Sequence, residues 1–192
     1  MSPTDSQRPL LIPLILGTGR EGRRSEPVAR FVFSQLSRRA GVETEFVDVR
    51  YLDLAQNGPT EETRDTNWAT LAERADGFVI VTPEYNHGYP GMLKDALDMN
   101  LPEYNHKAVG ICGVSAGPFG GSRVIENLLP IMRELGLVVI GTDVNFGNAG
   151  KLFDEAGTLL DESYVRRVDN FLNELIWMTR VLRHGRESIP PV

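Results

Sequence analysis

The stretch Gly77-Phe78-Val79-Ile80-Val81-Thr82-Pro83-Glu84-Tyr85-Asn86-His87-Gly88-Tyr89-Pro90-Gly91-Met92-Leu93-Lys94-Asp95-Ala96-Leu97-Asp98-Met99 decides how the chain folds. Gly77 to Thr82 is a short apolar, β-branched run and reads as a buried strand. Pro83 to Gly91 holds two prolines and two glycines and reads as a stiff loop. Met92 to Met99 reads as a helix. A buried strand, a loop of special residues and a helix follow one another without a linker.

The same succession recurs on both sides. Leu10 to Leu16 reads as a buried strand, made less regular by Pro13. After the loop Gly17–Arg24, Ser25 reads as the N-cap of a helix with Pro27 in its first turn. Val28, Phe31, Val32 and Leu36 form its apolar face and Gly41 its end. Val42 to Val49 is a second strand. Residues 50–66 are polar, with a turn at Asn57-Gly58-Pro59, and Trp68 to Ala75 is a helix. Downstream come a strand at Ala108–Val114, a glycine-rich loop at Ser115–Gly121 and a helix at Arg123–Leu135 that Pro130 should kink. A strand at Leu137–Ile140 and a tight turn at Asp154–Gly157 precede a closing helix, Ser163–His184. Its expected stripe is Val165, Val168, Phe171, Leu172, Leu175, Met178 and Leu182. Alternating buried strands and helices specify an α/β fold with a parallel sheet covered on both faces. Such sheets bind ligands beyond the carboxyl ends of their strands. The loops 17–25, 83–91 and 115–121 should therefore meet along one edge.

Composition narrows the function. The chain has 192 residues, enough for one domain with a full core, with residues 1–8 expected as a flexible tail. A net charge of −6 argues against nucleic acid as the main ligand, since phosphate neutralisation needs a basic footprint. The single cysteine, Cys112, excludes an internal disulfide and a cysteine-cluster metal site, and reads as core. No run approaches the about 20 apolar residues of a membrane span, and no signal peptide is legible, so the expected location is the cytoplasm.

Two motifs mislead. Gly17-Thr18-Gly19-Arg20-Glu21-Gly22 matches the dinucleotide fingerprint to the letter, with Asp48 at the end of the next strand. In that fingerprint the helix starts almost at the second glycine; here Arg20 to Arg24 intervene. The longer loop suits a single terminal phosphate at a helix N-terminus. Thr18 and Ser25 would donate hydroxyls, and Arg20, with Arg23 or Arg24, would supply charge. Residues 20–39 carry six arginines against two glutamates, a basic island in an acidic chain. Gly113-Val114-Ser115-Ala116-Gly117 likewise matches a hydrolase nucleophile elbow, with Asp143 and His184 following in hydrolase order. The elbow needs a helix directly after the serine, and Gly117-Pro118-Phe119-Gly120-Gly121 stand in the way. No side chain reads as a nucleophile or general base. The second loop instead offers rigid backbone and flat rings, as a planar polar ligand requires.

Pro83-Glu84-Tyr85-Asn86, followed by Pro90-Gly91-x-Leu93-Lys94-x-Ala96-x-Asp98, resembles the NAD(P)H-dependent FMN reductase family, whose members include quinone, chromate and azo-dye reductases. Gly17-Thr18-Gly19-Arg20 with Ser25, Ser115–Gly121 and Phe153–Gly157 fit the same family, so the resemblance spans roughly residues 10–180. The sequence departs from the pattern at Thr18 (usually Ser), Asp95 (Asn) and Met99 (Trp), and Arg23 and Arg24 enlarge the first loop.

The resemblance implies a flavodoxin-like three-layer sandwich with a five-stranded parallel sheet in the order 2-1-3-4-5. It implies FMN as cofactor and NADPH or NADH as co-substrate. Hydride would pass to the flavin and on to a second acceptor (a quinone, free flavin, azo compound or metal ion) in ping-pong fashion. Thr18, Arg20, Ser25 and the amides of Glu26 to Val28, a span that includes Pro27, are assigned to the phosphate side. Pro83, Glu84, Tyr85, Asn86 and His87 are assigned to the ribityl chain and ring, and Ser115, Gly117 and Gly120 to the pyrimidine edge. No metal is expected. A homodimer or homotetramer is expected, with Tyr89, Pro90, Met99 and Leu101 at the interface. The alternatives are an FMN electron carrier that does not oxidise NAD(P)H and a flavin-free protein that keeps the fold.

Overall fold

The structure, a computed structural model, describes residues 8–54 and 64–189. The turn expected at Asn57–Pro59 and the tail before Arg8 lie outside these residues. Arg8 itself, expected to be flexible, is fixed by a two-pronged bond to Asp76, at 2.7 and 2.9 Å.

The first apolar run forms two short strands, β1 (Leu10–Leu11) and β2 (Leu14–Leu16). Its two-residue period survives Pro13. Leu10, Ile12, Leu14 and Leu16 face one core, while Leu11 and Ile15 face the other. Proline brings no N–H, so one bond is missing at Pro13, while the flanking Ile12 and Leu14 amides still reach the Glu43 and Glu45 carbonyls, each at 2.9 Å. Helix α1 is Ser25–Leu36. The second strand region divides likewise into β3 (Val42–Glu43) and β4 (Phe46–Asp48), and the Thr44 hydroxyl donates to the Ile12 carbonyl across the gap, at 2.7 Å. Then come α2 (Thr66–Arg74), β5 (Gly77–Pro83), α3 (Gly91–Asp98), β6 (Ala108–Val114) and α4 (Ser122–Glu134). The chain closes with β7 (Val138–Val139), β8 (Val144–Phe146) and α5 (Ser163–Ser188).

All pairings between these strands are parallel. The main sheet has six strands along the path β4-β2-β5-β6-β7, with β8 also on β6, and β1 pairs with β3 in a separate two-stranded sheet. This corrects the expected five strands in the order 2-1-3-4-5. Three interruptions explain the count: Pro13 divides the first strand, Thr44–Glu45 divides the second, and Gly141–Asp143 separates β7 from β8. The segment Val144–Phe146 was not expected as a strand at all. Since β5 covers one edge of β6 from Gly77 to Pro83, β7 and β8 share its other edge, opposite Ala108–Val109 and Cys112–Val114.

Helices cover both faces. Val28, Val32 and Leu36 of α1 and Val168, Phe171, Leu172 and Leu175 of α5 form one core. Trp68, Leu71, Leu93, Leu97, Val124 and Leu128 of α2, α3 and α4 form the other. The α5 stripe is rotated from expectation: Val165 is exposed, while Tyr164, Ile176, Thr179 and Arg183 are buried. Helix α4 runs through Pro130 without a break. The turn at Asp154–Gly157 is present, closed by the Gly157 amide on the Asp154 carbonyl at 3.0 Å.

Candidate active site

Parallel strands deliver their following loops to one edge, and the three singled-out loops meet there. A cleft of about 400 Å³ is lined by Arg20–Ser25, Pro83–Tyr85, Val114–Ala116 and Ala149. The Glu84 amide donates to the Val114 carbonyl at 2.9 Å and the Gly17 amide to the Val81 carbonyl at 2.9 Å, so the loops leave the sheet still tied to it.

Ser25 is the first residue of α1, not its cap. Arg24 holds the N-cap position in helical geometry and makes no side-chain capping bond. The Ser25 hydroxyl is therefore not used by the helix. It is 1 % exposed and has no hydrogen-bond partner. An unpaired buried hydroxyl costs about 1–3 kcal/mol, and no group of the chain offsets that cost here. It lies at a helix N-terminus, where unpaired amides and the helix dipole favour an anion. Thr18, also buried, shares a hydrogen bond of 3.1 Å with the Tyr85 phenol, which joins the first loop to the second. The exposed Arg20 guanidinium stands 5.7 Å from the centre of the Tyr85 ring.

Arg23 behaves otherwise. It was expected to offer charge to a phosphate, but its guanidinium is buried and holds Asp48 with two bonds and Glu26 with a third. Burial works against its charge, yet those two carboxylates outweigh burial and hold its pKa above the ordinary arginine value. Asp48 is thereby occupied and cannot serve a ribose, which removes the dinucleotide reading. Arg24 packs against Gly150, where a Cβ would stand 2.7 Å from its guanidinium. Glu26 and Pro27 line a neighbouring hollow on the outer side of α1, and Val28 is core.

The second loop is a two-residue hairpin. Tyr85 and Gly88 exchange both backbone bonds, each at 2.9 Å, and Asn86 and His87 take positive φ, as a mirror-image turn requires. Asn86 and His87 stand exposed at its tip rather than in the cleft lining, and the Asn127 side chain of α4 grips the His87 carbonyl. Glu84 is more buried. One carboxylate oxygen receives Arg123 at 3.1 Å, and the other has no donor.

In the third loop, the Ser115 hydroxyl donates to the Gly117 carbonyl at 2.9 Å. Gly120 lies against Asn145, where a Cβ would approach the backbone to 2.6 Å. Helix α4 begins at Ser122, so no elbow forms. His184 lines a hollow with Leu10 and Gly41, at the opposite edge of the sheet. The hydrolase reading fails on both counts. Cys112 is fully buried, and burial pushes its thiol pKa up, as a core cysteine should behave. Ala149 was not anticipated; its amide donates to the Ser115 carbonyl at 3.0 Å, bringing the turn after β8 to the cleft. The available signal was Asn148-Ala149-Gly150, a turn sequence whose asparagine takes φ +51°. Among the described residues no cluster of three metal-binding side chains occurs, and no helix is long and apolar enough to cross a membrane.

Known proteins resemble this chain in sequence and in fold. A family model described as NADPH-dependent FMN reductase matches residues 10–151. The chain belongs to that family. It is therefore an oxidoreductase whose family pairs FMN with NAD(P)H. An NAD(P)H-dependent FMN reductase of Schizosaccharomyces pombe is 35% identical over 142 residues, 68% of this chain and 70% of that one. An FMN-dependent NADPH-azoreductase of Staphylococcus haemolyticus is 27% identical over 85% of this chain and 92% of its own. The flavoenzyme FerB, an NAD(P)H:acceptor oxidoreductase of Paracoccus denitrificans, superposes with a TM-score of 0.73 at 18% identity, covering 90% of this chain and 98% of that one. That likeness bears on the fold.

Proposed function

We propose that the chain is an NAD(P)H-dependent FMN oxidoreductase that passes reducing equivalents to a second small-molecule acceptor in a ping-pong cycle. The observation that carries this reading is the unpartnered Ser25 hydroxyl at the head of α1, inside the cleft where the three loops meet. When bound, FMN supplies the two-electron chemistry, and the protein supplies position and field. Thr18, Arg20, Ser25 and the first amides of α1 hold the phosphate. Tyr85 and the Pro83–Glu84 backbone present a rigid wall beside the ribityl chain and ring. The donor-free oxygen of Glu84 suits a ligand hydroxyl or N–H. Ser115 forms the far wall; behind it the Gly117 carbonyl accepts its hydroxyl, and the absence of a Cβ at Gly120 lets the loop lie on β8.

The likeness to FMN and azo reductases favours this reading over an electron carrier. The acceptor is proposed only by class: a quinone, free flavin, azo compound or metal ion. A homodimer or homotetramer is part of the proposal. Of the four interface candidates, Met99 and Pro90 are buried within the chain and drop out, while Tyr89 is half-buried and Leu101 is 57% exposed. The solution mass tests this part, and a monomer refutes it.

The purified protein should be yellow, release FMN on denaturation and bleach with NADPH without air. Varying NADPH at several quinone concentrations should then give parallel double-reciprocal lines. Colourless protein that cannot be loaded with FMN defeats the reading; intersecting lines defeat the ping-pong cycle alone.

A further inference from the structure

Three consecutive carbonyls of the first loop are each held by an arginine side chain. Arg23 Nη1 donates to the Thr18 carbonyl. Arg50 Nε donates to the Gly19 carbonyl at 2.9 Å, and Arg50 Nη2 to the Arg20 carbonyl at 2.7 Å. Asp48 ties the two arginines together. Its carboxylate takes both terminal nitrogens of Arg23 and also accepts from the Arg50 amide at 3.0 Å. Arg50 follows β4 in the turn Val49–Tyr51 and does not line the cleft.

Peptide planarity gives this arrangement a consequence. In a trans peptide, the carbonyl of one residue and the N–H of the next point in opposite directions. Holding the carbonyls of Thr18, Gly19 and Arg20 on one side therefore turns the amides of Gly19, Arg20 and Glu21 to the other. The Arg20 amide meets the Thr18 hydroxyl at 3.3 Å. Among the described residues the amides of Gly19 and Glu21 donate to no backbone carbonyl. Successive amides on one side of a turn form a concave anion site. The Met92 thioether packs on Gly19, where a Cβ would fall 2.6 Å from the sulfur and would push that side chain aside.

We infer that Arg50, with Arg23 and Asp48, is a positioning residue that presets the first loop for a phosphate it does not touch, and so sets the preference for a phosphorylated flavin over an unphosphorylated one. The inference rests on the phosphate placement proposed above. Charge is not the essential part: Asp48 neutralises Arg23, and Arg50 acts through the fork of its guanidinium, which spans two carbonyls at once.

The test is flavin affinity, read by fluorescence quenching, for FMN and riboflavin side by side. The protein as isolated should bind FMN much more tightly than riboflavin. Arg50→Met should weaken FMN about tenfold and leave riboflavin within about twofold, with kcat at saturating FMN unchanged. Arg50→Lys keeps the charge but cannot span both carbonyls, and should resemble Arg50→Met. Its circular dichroism and melting point monitor folding, and it serves as the measurement if the methionine variant does not fold. Equal weakening of both flavins overturns the inference, since that marks a general structural role; so does an unchanged FMN affinity in either variant. If the unaltered protein does not distinguish FMN from riboflavin, the phosphate placement itself fails and the inference falls with it.

Discussion

Ser25 shows how one residue can be read correctly in type and wrongly in role. A serine before a helix is an ordinary N-cap signal, but capping would use its hydroxyl, and the structure leaves that hydroxyl buried and free. Ser25→Ala separates the two roles. A cap would lose about 1 kcal/mol of stability on truncation. A buried hydroxyl reserved for a ligand should lose none, and FMN affinity should fall about tenfold. Melting of the flavin-free protein, together with an FMN titration, gives both numbers. A destabilised variant with unchanged FMN binding restores the capping role. Arg23 is the opposite case. Its proximity to a phosphate loop was legible, but its occupation by Asp48 was not, because that partner lies at the end of β4, 25 residues away.

At the scale of elements, periodicity revealed the strands and both faces of the sheet, since burial on two sides demands unbroken apolar runs. What it could not reveal was where the ladders stop. Pro13 preserves the side-chain alternation while removing a hydrogen bond, so one apolar run became two strands. Val144–Phe146 was missed because three residues carry too little pattern to stand out from a loop.

Helix α2 carries a further device. Lys107, from the start of the β6 region, donates to the carbonyls of Ala72 and Glu73 in the last turn of α2, each at 2.7 Å. Burial, and the nearby charge of Arg186, lower its pKa to about 8, against the pull of Asp76, Glu103 and Glu73. Its pKa is lower in the folded than in the unfolded chain, so between about pH 8 and 10.5 the unfolded chain binds more protons. Stability contributed by this group therefore rises with pH across that window. The melting temperature of Lys107→Met should lack this rise relative to the unaltered protein. Parallel pH profiles for the two would show that Lys107 titrates normally.

Across the whole molecule, the candidate cleft and the clasp that joins the chain's ends occupy opposite edges of the sheet. The cleft lies at the carboxyl ends of the strands. At the other edge, the buried carboxylate of Asp76 gathers Arg8 from the start of the described chain and Arg183 and Arg186 from the end of α5. It also accepts the Leu11 amide at 3.0 Å. Removing one member of such a buried set leaves the others uncompensated, so Asp76→Asn should cost about 3 kcal/mol in denaturant unfolding. FMN affinity should stay as it was, given the separation of the edges. A loss of affinity matching the loss of stability would show that the two edges are coupled. The sequence placed the three loops on one edge by topology alone. It did not show this clasp, whose arginines and aspartate are far apart in the chain and carry no motif.

Cys112 has a use outside the chemistry of the cleft. It is the chain's sole thiol, fully enclosed in the middle of β6 between β5 and β8. A thiol reagent in solution can reach it only when that central strand comes open. Its labelling rate is thus a clock built into the sheet, counting excursions of the core with no added probe. Flavin should slow that clock if the cleft is where FMN binds, because a ligand held by loops on both flanks of β6 stabilises the closed state by mass action.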